Sequence, residues 1–273
     1  MRIKFWGVRG SIPTPQPENL RYGGNTPCVE FRSDGGSVLI VDCGTGLRVL
    51  GKSLMKEFGE RPIRAHIFLS HYHWDHIQGV PFFAPLYRKT NKFTFHSFNV
   101  TKDSIEGTLE GQMARPYFPI TMRAMLASRH YAKIKPGPME VDDFIVTARR
   151  INHPQGCLSF RVQNNGRAAV YATDNEPGAA NYDRGIRDLA RGADLLIYDS
   201  QYSEKEIGTD KKGWGHSSWE EGVRICEDAG VKQLILFHHD PDSYDTLVDR
   251  LQEQARARFP NSRAAFEGLE ITL

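Results

Sequence analysis

The stretch HYHWDH, residues 71–76, places three histidines and one aspartate within six positions, directly after the apolar run AHIFLS, residues 65–70. In an extended segment, residues two apart point the same way, so His71 and His73 can face one metal ion. Asp75 and His76 follow where the chain is expected to turn into a helix, HIQGVPFF, and they can face a second ion. This spacing predicts a metal site at the end of a strand.

Other strand-like runs also finish at an ionisable residue. SVLIVD, FIVTARRIN, RAAVYATD, ADLLIYD and KQLILFH lead, in that order, to Asp42, His153, Asp174, Asp199 and His238. If these strands share the carboxyl edge of a sheet, where α/β proteins bind ligands, the side chains converge there. A single histidine at a strand end is usually structural, but so many buried ionisable groups need a cation to offset their desolvation. Imidazole and carboxylate ligands suit zinc, manganese or iron better than magnesium or calcium.

Length and composition are those of an ordinary globular protein. The 273 residues are 40% apolar and 25% charged, and we expect one domain over residues 1–273. A net charge of +2 without a polybasic tract argues against non-specific nucleic-acid binding and is compatible with a small anionic substrate. We expect no signal peptide and no membrane span, and four scattered cysteines predict buried free thiols in a cytoplasmic protein. Whether the chain forms a homo-oligomer is left open.

The pattern of elements predicts an α/β fold. Ten short β-branched or aromatic runs recur along the chain, and helical periodicity is clearest over residues 46–58, 218–230 and 244–259. Each half begins as a strand meander and continues with strand–helix units, which predicts two sheets layered between helices. Residues from about 101 to 140 fit neither period and are expected to form an excursion with one or two short helices, either a lid or a packing connector.

HYHWDH matches the HxHxDH motif of the metallo-β-lactamase superfamily. DCGTG at 42–46, HPQG at 153–156, YATD at 171–174 and LFHH at 236–239 resemble its other motifs. The resemblance implies a four-layer αββα sandwich, a metallo-β-lactamase-like fold, with two divalent metal ions between the sheets. Zinc is the expected metal, with manganese or iron as alternatives.

The resemblance also assigns ligands. One metal would be held by His71, His73 and His153, and the other by Asp75, His76 and His238. Asp174 would bridge the two metals, and Asp42 would orient a ligand by a hydrogen bond. The last motif is ambiguous, because His238 and His239 adjoin and only one of two successive strand residues can face the metals; alignment of the strand end favours His238.

Two departures narrow the branch of the superfamily. Members that hydrolyse β-lactams often carry cysteine where Asp174 stands, and flavodiiron relatives carry glutamate where His73 stands, so neither activity is expected. YDSQY at 198–202 and GHSSW at 215–219 instead resemble tRNase Z, in which an acid and a histidine assist phosphodiester cleavage.

By this resemblance Asp199 would orient His216, and His216 would protonate the leaving oxygen or contact a phosphoryl oxygen. The serines of GHSSW are also typical of a helix N-cap, and both interpretations can hold together. Only about forty residues separate Asp174 from His216, so the tRNA-gripping arm of tRNase Z has no counterpart and large folded RNA is not the expected substrate.

Two N-terminal stretches, GVRGSIP at 7–13 and YGGNTPC at 22–28, resemble uncharacterised members grouped with the phosphodiesterases. From there Arg9, Ser11 and Asn25 could reach a phosphate. The glycines of both stretches are equally typical of turns.

The expected function is two-metal hydrolysis of a small, cyclic or nucleotide-like phosphodiester, with Asp75 orienting the attacking water. A lactonase or thioesterase using the same metals is the first alternative. The aromatic residues near the site could line an acyl pocket as readily as stack on a base; they are Tyr72, Trp74, Tyr117 and Phe118. A metal-bearing sensor or binding protein without turnover is the second alternative.

Overall fold

The computed structural model describes residues 1–98 and 104–273. In these residues the chain forms fourteen β-strands and seven α-helices. The strands are β1 (Arg2–Gly7), β2 (Cys28–Arg32), β3 (Val38–Val41), β4 (Arg64–Phe68), β5 (Lys92–Ser97), β6 (Ser128–Lys133), β7 (Pro138–Val141), β8 (Phe144–Ile151), β9 (Cys157–Asn164), β10 (Arg167–Ala172), β11 (Leu195–Asp199), β12 (Leu234–Phe237), β13 (Ser262–Ala264) and β14 (Glu270–Thr272). The helices are α1 (Gly46–Phe58), α2 (Trp74–Ile77), α3 (Ile105–Gly111), α4 (Ala180–Ala190), α5 (Glu204–Ile207), α6 (Trp219–Ala229) and α7 (Asp245–Arg258).

The strands form two mixed sheets. The first has the order β14-β1-β2-β3-β4-β5-β6, with an antiparallel meander up to β3 and parallel pairing from β3 to β6. The second has the order β13-β12-β11-β10-β9-β8-β7, antiparallel from β7 to β10 and parallel from β10 to β13. Each half of the chain therefore repeats a meander followed by parallel strands.

The two sheets pack face to face with helices outside them. The apolar core between the sheets takes side chains from both, and the rings of Phe68 and Phe160 lie 5.5 Å apart across it. A second core joins the first sheet to α1 and α3, and a third joins the second sheet to α4, α6 and α7. The expected four-layer αββα sandwich is confirmed.

Strand β3 shows why its sequence is apolar throughout. Leu39 and Val41 lie in the core between the sheets, whereas Val38 and Ile40 lie in the core beneath α1. A strand buried on both faces reads as a continuous apolar run, and each fully buried aliphatic side chain contributes roughly 1.5–3 kcal/mol. The helices on the outside bury one stripe each, as α1 does with leucines at 47, 50 and 54.

All ten expected strands and the three clearest helices are present. The expected helix HIQGVPFF is wrong beyond its first turn, because α2 ends at Ile77 and short 3₁₀ turns follow at Val80–Phe82 and Ala84–Tyr87. Pro81 and Pro85 each lack the N–H group that an α-helix needs there.

The excursion contains more regular structure than expected. It holds α3 and a 3₁₀ turn, but also β6 and β7, which form one edge of each sheet. Residues 101–103 of the expected excursion lie outside the described residues. In the described residues no helix is long and apolar enough to cross a membrane. All four cysteines are free and buried, as expected.

Candidate metal centre

The predicted site residues meet at one rim of the sandwich, beyond the carboxyl ends of the parallel strands. The HYHWDH stretch follows β4 of the first sheet, while His153, Asp174 and His238 follow strands β8, β10 and β12 of the second. Asp42, Asp174 and His238 all have left-handed backbones, with φ of 61°, 57° and 60°. Aspartate and histidine are among the non-glycine residues that most often adopt this conformation.

Three histidines form the first group, which we call site 1: His71, His73 and His153. The Nε2 atom of His153 lies 3.1 Å from Nδ1 of His73. Oδ1 of Asp174 lies 3.8 Å from Nε2 of His71 and 3.9 Å from Nε2 of His153. One carboxylate oxygen of Asp174 therefore faces site 1.

Asp75, His76 and His238 form the second group, site 2. Oδ2 of Asp75 lies 3.2 Å from Nε2 of His76 and 3.3 Å from Nε2 of His238. The other oxygen of Asp174, Oδ2, lies 3.2 Å and 3.4 Å from the same two nitrogens. Asp174 thus stands between the two sites and presents one oxygen to each.

The charge state of these groups suits a divalent cation. Burial lowers the pKa of His71 and of His153, which leaves both rings neutral. Burial alone would raise the pKa of Asp75 and Asp174, but the neighbouring histidines hold both pKa values well below the usual range. In the part of the chain that the structure describes, the buried His71 Nε2 has no hydrogen-bond partner. Neutral imidazoles and ionised carboxylates with free lone pairs fit a transition-metal ion.

His76 shows what binding would require. Burial lowers its pKa, but the carboxylates of Asp75, Asp174 and Asp42 raise it by more, to well above the usual value. A metal ligand must be neutral at the coordinating nitrogen, so a cation in site 2 displaces a proton from His76.

Hydrogen bonds behind the site fix the rings. Nδ1 of His76 lies 2.8 Å from Oδ2 of Asp42, the orienting role predicted for that aspartate. Asp42 also accepts hydrogen bonds from the backbone N–H and hydroxyl of Ser70 and from the hydroxyl of Tyr171, at 2.7–2.8 Å. A ring whose Nδ1 is held in this way presents Nε2 to the metal.

The other rings have partners that sequence reasoning missed. Nδ1 of His238 lies 2.8 Å from Oε1 of Gln201, and Nδ1 of His153 lies 2.8 Å from the carbonyl oxygen of Gly215. Gln201 stands inside the quoted stretch YDSQY, two positions after Asp199, so the motif contained the signal.

His216 and Asp199 lie beside the metal sites. Nδ1 of His216 is 3.0 Å from Oδ2 of Asp199, which also accepts the backbone N–H of Asp174 at 2.9 Å. Burial lowers the pKa of His216, but the carboxylates of Asp199 and Asp174 raise it by more, to about 9. His216 lines a cavity of about 580 Å³ that also exposes Asp75 and Asp174. We call it the metal pocket.

Of the five residues predicted to contact substrate, the structure places three in the wall of the metal pocket and two outside it. Ser11, Tyr72 and Trp74 line the metal pocket, and the N–H of Ser11 donates to Oδ2 of Asp75 at 2.8 Å. Arg9 does not reach it, because its guanidinium is fully buried and donates to the carbonyl oxygens of residues 23, 240 and 243. Asn25 is also excluded, since its side chain and backbone N–H donate to the carboxylate of Glu267.

The two adjacent histidines point in different directions. His238 points into site 2, whereas Nε2 of His239 lies 2.9 Å from the carbonyl oxygen of Ala265, away from both sites.

Comparison with known proteins agrees with this geometry. The profile of a family described as “Beta-lactamase superfamily domain” matches residues 38–239. The chain belongs to this superfamily. The match spans the stretches that carry Asp42, HYHWDH, His153, Asp174, His216 and His238. Membership of the family and the His/Asp clusters together support the binding of divalent metal.

Relatives and solved structures match almost the whole chain. Ribonuclease Z of Bacillus velezensis is 24% identical over 325 aligned positions, covering 100% of this chain and 99% of the relative. The metallo-β-lactamase fold protein YhfI from Bacillus subtilis superposes with a TM-score of 0.71 at 21% identity, covering 99% and 98% of the two chains. The short form of human tRNase Z superposes with a TM-score of 0.70 at 19% identity, covering 100% and 98%. The expected resemblance to the tRNase Z branch of the metallo-β-lactamase superfamily is confirmed.

Proposed function

We propose that this superfamily member is a phosphodiesterase that holds two divalent cations, zinc by preference, in sites 1 and 2. The observation that carries the proposal is the His216–Asp199 pair, 3.0 Å apart, which faces the metal pocket beside Asp174. When bound, the cations supply Lewis-acid chemistry, since they make water nucleophilic near neutral pH and neutralise charge on the phosphoryl group.

Residues of the chain supply the proton for the leaving group and orient the attacking water. His216 holds a proton on Nε2 for the leaving oxygen, and Asp199 accepts from Nδ1 and stabilises the protonated ring. Asp75 accepts from Ser11 and is thereby fixed at the wall of the pocket, where it orients the attacking water. The chain is in this way a metal-dependent phosphoric diester hydrolase.

The size of the pocket favours a small substrate. A volume of about 580 Å³ is within the range of small-molecule sites. The alignment with the Bacillus velezensis ribonuclease Z runs over 325 positions and this chain has 273 residues, so at least 52 positions of the relative (325 − 273) have no counterpart here. A small, cyclic or nucleotide-like phosphodiester is therefore our proposed substrate, and the relatives named ribonuclease Z support RNA as the second candidate.

A lactonase or thioesterase remains the alternative with the same metals. His216 can donate a proton either to the thiolate that leaves a thioester or to the alkoxide that leaves an opening lactone. A thiolate, however, leaves readily without a proton donor. A protonated histidine held by a buried carboxylate is consequently most useful when an alkoxide leaves, as it does from a phosphodiester or a lactone. The pair therefore argues against a thioesterase, and the lactonase is separated from the phosphodiesterase by experiment.

A panel of substrates on one metal-analysed preparation tests the proposal. The panel contains bis(p-nitrophenyl) phosphate, a cyclic nucleotide, a precursor tRNA, a lactone and a thioester. We expect turnover of the phosphodiesters, with the small ones faster than the tRNA. Faster turnover of the lactone or thioester would reject the reaction class, faster turnover of the tRNA would reject the substrate size, and bound metal without any turnover would favour a sensor.

A further inference from the structure

A second cavity adjoins the metal pocket. It has a volume of about 790 Å³, and the two cavities share Tyr72 and Trp74 in their walls. The alternation in HYHWDH explains the arrangement, because His71 and His73 face site 1 while the two intervening aromatic residues stand at the boundary of the cavities. We call the second cavity the aromatic pocket.

The wall of the aromatic pocket is rich in rings and carries no charged residue among the described residues that line it. Phe82 and Phe118 stand edge to face with ring centres 5.8 Å apart. Trp74 is 80% exposed and Tyr117 is 83% exposed. Large exposed aromatic surfaces of this kind mark binding sites, and a wall whose described residues include no cation favours a neutral, flat ligand group over a phosphate.

Polar groups in the same wall distinguish a nucleobase from an acyl chain. Gln78, Gln112 and Thr108 line the pocket. A carboxamide offers both a donor and an acceptor, which match the hydrogen-bonding edge of a base. Gln78 already donates to the hydroxyl of Thr26, whereas Nε2 of Gln112 is buried without a hydrogen-bond partner in the part of the chain that the structure describes. An alkyl chain would leave this amide unpaired, whereas a base can offer it an acceptor.

We propose that the aromatic pocket is a nucleobase subsite, which binds a base of the substrate while the adjoining phosphodiester lies in the metal pocket. The inference rests on the proposed phosphodiesterase function and makes it more specific, since it selects substrates with a nucleoside over phosphodiesters that lack one. Stacking on Tyr117 and Phe118 supplies affinity for any base, and the amides bias the choice among bases.

Binding of adenosine tests the subsite without turnover. Tryptophan fluorescence is followed while adenosine or octanoate is added to the metal-loaded protein. We expect adenosine to quench a component that is absent in Trp74→Phe, and Tyr117→Ala to weaken its binding about tenfold. Tyr182→Ala, which removes an exposed tyrosine from α4 outside the pocket, is the control and should bind as the wild type does. Binding of octanoate but not adenosine would overturn the proposal in favour of an acyl site.

Kinetics with a matched substrate pair tests the link to catalysis. The pair is a dinucleotide and the same phosphodiester with both bases replaced by hydrogen. Tyr117→Ala should raise KM for the dinucleotide about tenfold, leave kcat within about twofold and leave KM for the abasic compound unchanged. An equal change for both compounds would overturn the subsite. If the wild type cleaves neither compound but binds adenosine, the proposed reaction fails and the binding site stands.

Discussion

Three residues at the rim have an uncommon, left-handed backbone conformation, which places their side chains at the metal centre. A left-handed φ outside glycine costs of order 1–3 kcal/mol, and Asp42, Asp174 and His238 all adopt it directly after or close behind a strand. All three belong to the metal centre or support it. Gln155 and Ser11, which line the metal pocket, also have positive φ values, of 65° and 63°. Strain concentrated in one place indicates that function, rather than packing, determines these conformations.

His216 is the residue whose loss separates catalysis from metal binding. We predict that His216→Ala lowers kcat for a phosphodiester by about 10² to 10⁴, because the leaving oxygen loses its proton donor. Metal content should not change, since both groups of ligands remain. His130→Ala, at an exposed position on β6, is the matched control. Atomic absorption and initial rates give the two readouts, and a variant that loses both metal and activity would contradict the assignment.

Asp42 tests the support behind site 2. We predict that Asp42→Asn lowers metal affinity by about 10- to 100-fold, because asparagine keeps the left-handed backbone but removes the charge that faces His76. Competition with a chromogenic chelator measures the affinity. Asp142→Asn is the matched control, because Asp142 also has a positive φ but lies outside both sites. This variant should bind metal with the affinity of the wild type. Equal affinities for Asp42→Asn and wild type would contradict the role.

The sequence predicts the residues that face the metals better than those behind them. HYHWDH and the strand ends have a spacing that can be read directly, and the structure brings those side chains together. Tyr171 reaches Asp42 across the sandwich, whereas Gln201 reaches His238 and Ser70 reaches Asp42 from the end of a neighbouring strand in the same sheet. No periodicity predicts such pairs, because they depend on which strands lie side by side and on how the two sheets pack, although the motif YDSQY does contain Gln201. The prediction for Arg9 is wrong in the opposite sense. An arginine beside a glycine turn is a plausible phosphate ligand by sequence, but its side chain is fully buried.

Among the elements, the two loops after β3 and β4 approach each other without room for a side chain. A Cβ atom on Gly79 would lie 2.0 Å from the carbonyl oxygen of Gly44, and one on Gly44 would lie 2.3 Å from that of Asp75. Backbone hydrogen bonds from Cys43 to His76 and from Gly79 to Cys43 close the contact. The glycines of DCGTG and HIQG therefore set the distance between Asp42 and its histidine.

Gly79→Ala should disturb this contact. We predict a loss of about 1–3 kcal/mol in the free energy of unfolding, together with weaker metal binding, because the backbone of one loop must shift. Gly185→Ala in α4 is the control, since its Cβ atom meets nothing within 4 Å and alanine should stabilise the helix by about 0.5–1 kcal/mol. Urea denaturation measures both variants. An unchanged midpoint for Gly79→Ala would show that the loops are not in tight contact.

Elements differ in how well local sequence specifies them. Continuous apolar runs predict the strands that are buried on both faces, and the helical spacing of apolar residues predicts α1. The edge strands β6 and β7 mix charged and apolar residues, and β13 and β14 have three residues each. Their conformation depends on pairing with a neighbour, which local patterns do not encode.

For the whole molecule, the metal centre connects the two sheets. Site 1 combines His71 and His73 from the first sheet with His153 from the second, and site 2 joins Asp75 and His76 to His238. Asp174, from the second sheet, faces both. Cations bound here link both halves of the sandwich and interact with the folded chain alone, so their binding free energy adds to stability.

Removal of metal should therefore destabilise the molecule. A ligand present at about 1,000 times its dissociation constant contributes about 4 kcal/mol, which corresponds to a melting temperature higher by roughly 8 to 16 °C in a chain of this size. We predict a fall of that order on dialysis against a chelator and recovery when zinc is added back, measured by scanning calorimetry. The chelator saturated with zinc beforehand is the control. Asp174→Asn should show a smaller difference between the two forms, because the group between the sites loses its negative charge and one of its two oxygens becomes an NH₂ group. If chelated and zinc-loaded wild type melted together, the histidines and aspartates of the rim would be a hydrogen-bonded cluster, and the proposals built on sites 1 and 2 would fall with them.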